Sequence, residues 1–202
     1  MSHNNCLIIF TRKPEPGKVK TRLAAGIGKE NALAVYKYLL KHSSKITKSV
    51  NADKQVWYTP EIQFNDCWDD AIFEKHLQPD GDLGKKMKMA FNFAFDYNYK
   101  HVVIIGTDVL DLSEKLIDHA FELLEFYDVV LGPATDGGYY LLGLKHMIES
   151  VFEHKSWGTS EVFRQTMNDL KTKHVAVLEY KNDIDYAEDL DHHPELLNLI
   201  EK

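Results

Sequence analysis

Residues 101–108 read HVVIIGTD, and no other stretch of this chain constrains its fold as strongly. A short β-branched run closed by glycine is a strand buried on both faces, the kind found inside a parallel sheet. It delivers an acid, Asp108, to the strand's C-terminal end. Ligands of open α/β sheets bind at that edge. Asp108 therefore either holds a metal or a phosphate-bearing ligand, or caps the turn into the next helix.

The first such strand is residues 6–10, CLIIF, and the loop TRKPEPGKVKTRL (11–23) leaves it at once. Two prolines and a glycine exclude helix and central strand from residues 13–17. The loop carries five cations: Arg12, Lys13, Lys18, Lys20 and Arg22. In an extended backbone Lys18, Lys20 and Arg22 project to one side. Such a fork suits a polyphosphate, arginine giving bidentate contacts and lysine point charges. It is not a Walker A loop, because Val19 follows Gly17-Lys18 where Ser or Thr is needed. Gly26-Ile-Gly28 lacks the third glycine of a dinucleotide fingerprint.

Strand and helix signals then alternate. Ala32, Leu33, Tyr36, Leu39 and Leu40 mark a crossover helix over 29–50, and 55–59 is a strand closed by Pro60. Trp68, Ile72 and Phe73 suggest a short helix within 61–76. Asp82 is the expected N-cap of a helix carrying Met87, Ala90, Phe91, Ala94 and Phe95, and Ser113 caps the helix after the 101–108 strand. A strand at 128–131 leads into GPATDGGYYLLG (132–143), where Gly137 and Gly138 beside Asp136 serve either a tight turn or a substrate pocket. Thr159 or Ser160 caps the next helix, and Trp157 either packs or lines a pocket. Residues 174–178 form the last strand, followed by the acids Asp183 and Asp185 and two short helices.

This alternation predicts a three-layer α/β/α sandwich with a mostly parallel central sheet. A length of 202 residues gives room for one domain spanning 1–202. A net charge of -7 argues against a sequence-independent nucleic-acid binder. Cys6 and Cys67 form no CxxC pair and no run approaches a membrane span, so a cytoplasmic protein is expected. Oligomeric state is left open.

The motifs at 10–23, 81–84 (GDLG), 106–108 (GTD), 132–139, 157–159 (WGT) and 183–185 (DID) together resemble the bacterial glycosyltransferase-A-like family that includes the arsenosugar-biosynthesis type. More distantly the chain resembles nucleotidyltransferases such as phospholactate guanylyltransferase, all with the nucleotide-diphospho-sugar transferase fold. The resemblance implies a transferase using a nucleotide sugar or a nucleoside triphosphate, a small-molecule acceptor, and Mg2+ or Mn2+. Asp108 would be its metal-binding acid and Asp185 the second ligand. Arg12, Lys18, Lys20 and Arg22 would hold the phosphates, with Gln78, Gly81, Leu83 and Gly84 in the base-reading loop. Gly137, Gly138, Tyr139 and Trp157 would face acceptor or sugar, with Asp136 as general base if transfer inverts the sugar carbon. Leu110, Lys86 and Tyr186 depart from the residues usual in that family. Glycosyl transfer is the first expectation, nucleotidyl transfer with pyrophosphate release the second, and non-catalytic nucleotide binding the third.

Overall fold

A computed structural model describes residues 4–200. β1 (Asn5–Arg12) is buried on both faces from Cys6 to Ile9, and the alternation of its side chains between those faces sets up the layers. Leu7 and Ile9 face one side of the sheet, where they cluster with Tyr36 and Leu40 of α2 (Lys29–Thr47) and Ile117 and Phe121 of α4 (Glu114–Leu124). Cys6 and Ile8 face the other, against Met87, Ala90 and Phe91 of α3 (Leu83–Asp96). The short helix α1 (Thr21–Ile27) follows the cationic loop. β4 (His101–Ile105) is buried at all five positions, as a strand covered on both faces must be. The architecture is the expected α/β/α sandwich. Burial raises both the Cys6 and Cys67 thiols, Cys67 to about 11, which disfavours the reactive thiolate at neutral pH.

Among the described residues the sheet has seven strands in the order β3-β2-β1-β4-β6-β5-β7. The remaining strands are β2 (Asp53–Thr59), β3 (Phe73–Leu77), β5 (Val129–Pro133), β6 (Tyr139–Leu144) and β7 (Val175–Val177). Every pairing is parallel except those of β6 with β4 and β5. The turn between β5 and β6 is far too short for a parallel crossover, so β6 must run back. From β1 the chain moves outward to β2 and β3, then returns to the opposite side of β1 as β4. The strand order therefore reverses between β1 and β4. A crevice opens there, at the C-terminal ends of the two strands.

Three local expectations give way. Residues 61–72 are turns, not a helix, and Phe73 begins β3. Asp66 accepts from the Trp68 amide at 3.0 Å and Asp69 from the Ala71 amide at 3.0 Å, side-chain bonds that compete with a helical ladder. The helix after Trp157, α5 (Val162–Asp169), has Glu161 at its N-cap, while Thr159 donates to the Ser156 carbonyl instead. The last strand is only the three residues of β7. Asp82 and Ser113 do cap α3 and α4, accepting from the Lys85 and Leu116 amides.

The C-terminal segment completes the crevice. Ile184, fully buried, packs with Leu23, Val35, Leu39, Leu110 and Leu190 into a third apolar cluster, which also takes in Leu196 of α6 (Pro194–Leu197). Its amide donates to the Asp108 carbonyl at 3.0 Å. With Ile184 turned inward, Asp183 and Asp185 are both left facing the crevice. Among the described residues no helix is long and apolar enough to cross a membrane.

Candidate active site

The loop after β1 is shaped by its own sequence. Pro16 and Gly17, the latter at φ 72°, form a turn closed by the Lys18 amide on the Glu15 carbonyl at 3.1 Å, the type II signature. The chain does not then run extended. Lys20 takes a left-handed conformation, φ 46° and ψ 47°, and α1 begins at Thr21, so the three cations reach the crevice from a turn and a helix start rather than from an extended fork. Tyr36 fixes the root of this loop: its hydroxyl accepts from the Arg12 amide and donates to the Arg12 carbonyl, both at 3.0 Å.

Lys20 is the hub. Its side chain is only 4 % exposed, and its ammonium lies 2.6 Å from Asp108 and 3.0 Å from Asp185. Arg22 reaches the other oxygen of Asp185 at 3.3 Å. Burial works to lower the Lys20 pKa, but the two carboxylates outweigh it and the net shift is upward. Lys20 is thus a fixed cation between two acids supplied by segments remote from each other in sequence.

Two cavities meet at this hub. One, of about 520 Å³, is lined by Arg12, Lys18, Lys20, Arg22, Gln78, Leu83 and Lys86, with Thr107, Asp108 and Asp185 at its end. The other, of about 370 Å³, is lined by Asp136, Gly138, Tyr139, Tyr140, Trp157 and Asp183. Arg22, Leu83, Asp108 and Asp185 border both. The result is one bipartite cleft with an acid pair at the junction.

Most residues singled out in the sequence line this cleft, and three glycines do not. Gly81 packs against Lys85. Gly84 is the seat of Trp157, since a Cβ there would stand 2.8 Å from the indole and 2.2 Å from the Phe152 carbonyl. Gly137, at φ 90°, lies against the backbone of Ser160 and accepts from the Phe163 amide at 2.9 Å, tying the β5–β6 turn to the Trp157 loop. Asp136 accepts from the Gly138 amide at 2.7 Å through one oxygen. Gln78 donates to the Trp57 and Thr11 carbonyls at 2.8 and 3.2 Å, bracing the ends of β1 and β2 beside the cavity.

Sequence reasoning gave no separate role to Asp183, Asp189 or Tyr36. Burial first, then the charges of Asp136 and Asp185, push the Asp183 carboxyl up to about 6. Asp189 holds the loop before it: it accepts from the Asp185 and Tyr186 amides at 2.8 and 2.7 Å and from Asn182 at 2.8 Å. The DID motif itself carried a signal for Asp183, because residues two apart in an extended segment share a side. Tyr36 and Asp189 left none, since their partners are set by packing.

Among the described residues no three His, Cys, Asp or Glu side chains converge as a self-sufficient metal cage. The side chains at the junction that could contribute to a hard divalent cation's shell are Asp108 and Asp185, which Lys20 bridges in this structure.

The stretch from Gln78 to Trp157 that lines this cleft falls within the span of a family model, whereas the cationic loop and Asp185 lie outside it. The family model described as an uncharacterized protein conserved in bacteria, DUF2064, matches residues 42–159, and the chain belongs to that family. Its structure is similar to that of a provisionally named nucleotide-diphospho-sugar transferase from Desulfovibrio desulfuricans G20, with a TM-score of 0.84 and 32% identity over 92% of this chain and 84% of that one. It also shares its fold with 4-diphosphocytidyl-2C-methyl-D-erythritol synthase from Anaerococcus prevotii DSM 20548, at a TM-score of 0.56 and 13% identity over 96% of each chain. In sequence it is 26% identical over 182 residues to 2-phospho-L-lactate guanylyltransferase of Methanocaldococcus sp. (strain FS406-22), covering 85% of this chain and 74% of that protein. The fold is therefore that of the nucleotide-diphospho-sugar transferases and cytidylyltransferases, and the relatives are nucleotide-utilising transferases by name.

Proposed function

We propose that the protein is a metal-dependent glycosyltransferase that moves a sugar from a nucleotide sugar to a small acceptor, of the same broad kind as the arsenosugar-biosynthesis enzymes. The observation that carries this reading is the junction, where an acid pair lies between a cation-lined cavity and a second cavity at the switch point of the sheet. The Desulfovibrio relative, described as a nucleotide-diphospho-sugar transferase, supports it.

In this reading Arg12, Lys18, Lys20 and Arg22 hold the diphosphate, and Gln78 and Leu83 flank the base. Gly81 and Gly84 shape the start of α3 behind them. Asp108 and Asp185 would hold Mg2+ or Mn2+, which when bound neutralises charge on the departing phosphate. The acceptor sits between Tyr139, Trp157 and the Gly137-Gly138 turn. Its hydroxyl oxygen bonds to the anomeric carbon as the carbon–oxygen bond to the nucleoside diphosphate breaks, the leaving diphosphate taking the electron pair. Asp136, whose second oxygen is free of the turn bond, takes the hydroxyl proton.

The name of the Methanocaldococcus relative favours a second reading, nucleotidyl transfer from a triphosphate. The cation-rich cavity suits either donor. Thermal-shift measurements with nucleoside triphosphates and nucleotide sugars, with and without Mg2+ or Mn2+, test the donor site; absence of any metal-dependent shift would falsify it. Release of a nucleoside diphosphate supports glycosyl transfer, whereas release of pyrophosphate supports the second reading.

A further inference from the structure

The two halves of the cleft carry opposite charge. The donor half sets five cations, Arg12, Lys18, Lys20, Arg22 and Lys86, against Asp108 and Asp185. The other half sets Asp108, Asp136, Asp183 and Asp185 against Arg22. Asp108 and Asp185 are common to both and are neutralised by Lys20 and Arg22. Asp136 and Asp183 belong to the second half only, and neither has an ion-pair partner among the described residues.

The second half is also a constructed cavity. Its aromatic wall exists because Gly84 admits the Trp157 indole and Gly137 admits the backbone of Ser160; any Cβ at either position would collide. Tyr139 is fixed from behind, its hydroxyl 4.0 Å from the Met87 sulfur. Aromatic rings offer an apolar face to a ring-shaped or aliphatic ligand, and their quadrupole attracts a cation. Ionised carboxylates are acceptors only, so they match hydroxyl or ammonium donors and repel anions.

Resting on the transferase reading above, we propose that the acceptor is an uncharged or amine-bearing polyol, and not a phosphate ester or a carboxylic acid. Its hydroxyl or ammonium groups donate to Asp136 and Asp183, and its apolar face lies against Trp157 and Tyr139. The donor's phosphates and the acceptor are sorted to opposite halves by charge. This separates the protein from its Methanocaldococcus relative, whose name specifies a phosphorylated acid as substrate.

The test uses the indole N–H resonance of Trp157 in the full chain, assigned by Trp157→Phe, titrated with glucosamine, glucose and glucose 6-phosphate. Glucosamine and glucose are expected to move the resonance at millimolar concentrations, with glucose 6-phosphate about ten-fold weaker or worse, a factor of ten in Kd corresponding to about 1.4 kcal/mol. Asp136→Asn combined with Asp183→Asn is expected to narrow that gap. The proposal is overturned if glucose 6-phosphate binds as tightly as glucosamine, if neither sugar moves the resonance at tens of millimolar, or if the double variant leaves the gap unchanged. The donor-site reading fails independently, by the absence of a nucleotide-induced thermal shift, whatever the sugar titrations show.

Discussion

Lys20 shows how much one side chain decides here. Its ammonium lies between Asp108 and Asp185, the two residues proposed to hold the metal, so a divalent cation and this lysine compete for the same oxygens. Lys20→Met is expected to raise Mn2+ affinity in the absence of nucleotide and to lower nucleotide affinity by about ten-fold or more, since a charge-assisted bond contributes about 1.5–3 kcal/mol. Calorimetric titration with Mn2+ alone decides it, and unchanged Mn2+ binding would remove Asp108 and Asp185 from the metal role. Far from the cleft, His101 sets a pH dependence. Burial lowers its pKa below the ordinary 6.5, only partly offset by Glu125 at 3.8 Å. The folded state thus favours neutral imidazole, so this contribution to stability is fully present above 6.5 and is lost as pH falls through the lower folded-state value. Urea midpoints across pH 5–8 should show a steeper acid decline for the native chain than for His101→Asn. Equal slopes would mean that His101 titrates alike in both states.

At the level of elements, the acid pair depends on Ile184. Its side chain anchors the segment 183–185 under α1 and α2, and its amide binds the Asp108 carbonyl. Ile184→Ala is expected to cost about 2–5 kcal/mol, the range for truncating a fully buried isoleucine. Amide exchange over 182–186 should accelerate with it; a small loss of stability with unchanged exchange would show that Asp189 alone fixes the segment. Tyr36→Phe probes the other end of the cleft. Removing the hydroxyl takes its hydrogen bonds from the Arg12 amide and carbonyl in a part-buried site, at a cost of about 1 kcal/mol. Nucleotide affinity is expected to fall with it. Denaturant midpoints and a nucleotide titration read the two effects separately.

Across the whole molecule, the cleft draws on segments remote in sequence: the loop after β1, the end of β4, the β5–β6 turn and the segment after β7. A bound nucleotide and metal are therefore expected to slow amide exchange in 11–23, 107–111 and 182–186 together, and at a hundred times Kd to add about 2.7 kcal/mol of stability. Protection confined to one segment would break the donor site apart. Much of this molecule is legible in its sequence. Buried strands show as β-branched runs, Asp82 and Ser113 as caps, and the cationic loop and the GTD, DGG and DID motifs as chemistry at strand ends. Those signals are local, carried by a period of two or 3.6 residues or by the conformational limits of Pro and Gly. The sequence could not say that residues 61–72 prefer side-chain-bonded turns to a helix, that Gly84 and Gly137 serve packing, or that Lys20 joins Asp108 to Asp185. Nor could it show Tyr36 gripping Arg12, or the division of the cleft into a cationic and an acidic half. Each of these depends on which surfaces meet when β1 and β4 become neighbours and Ile184 is buried. That is a matter of burial and long-range electrostatics, which only the closed tertiary structure decides.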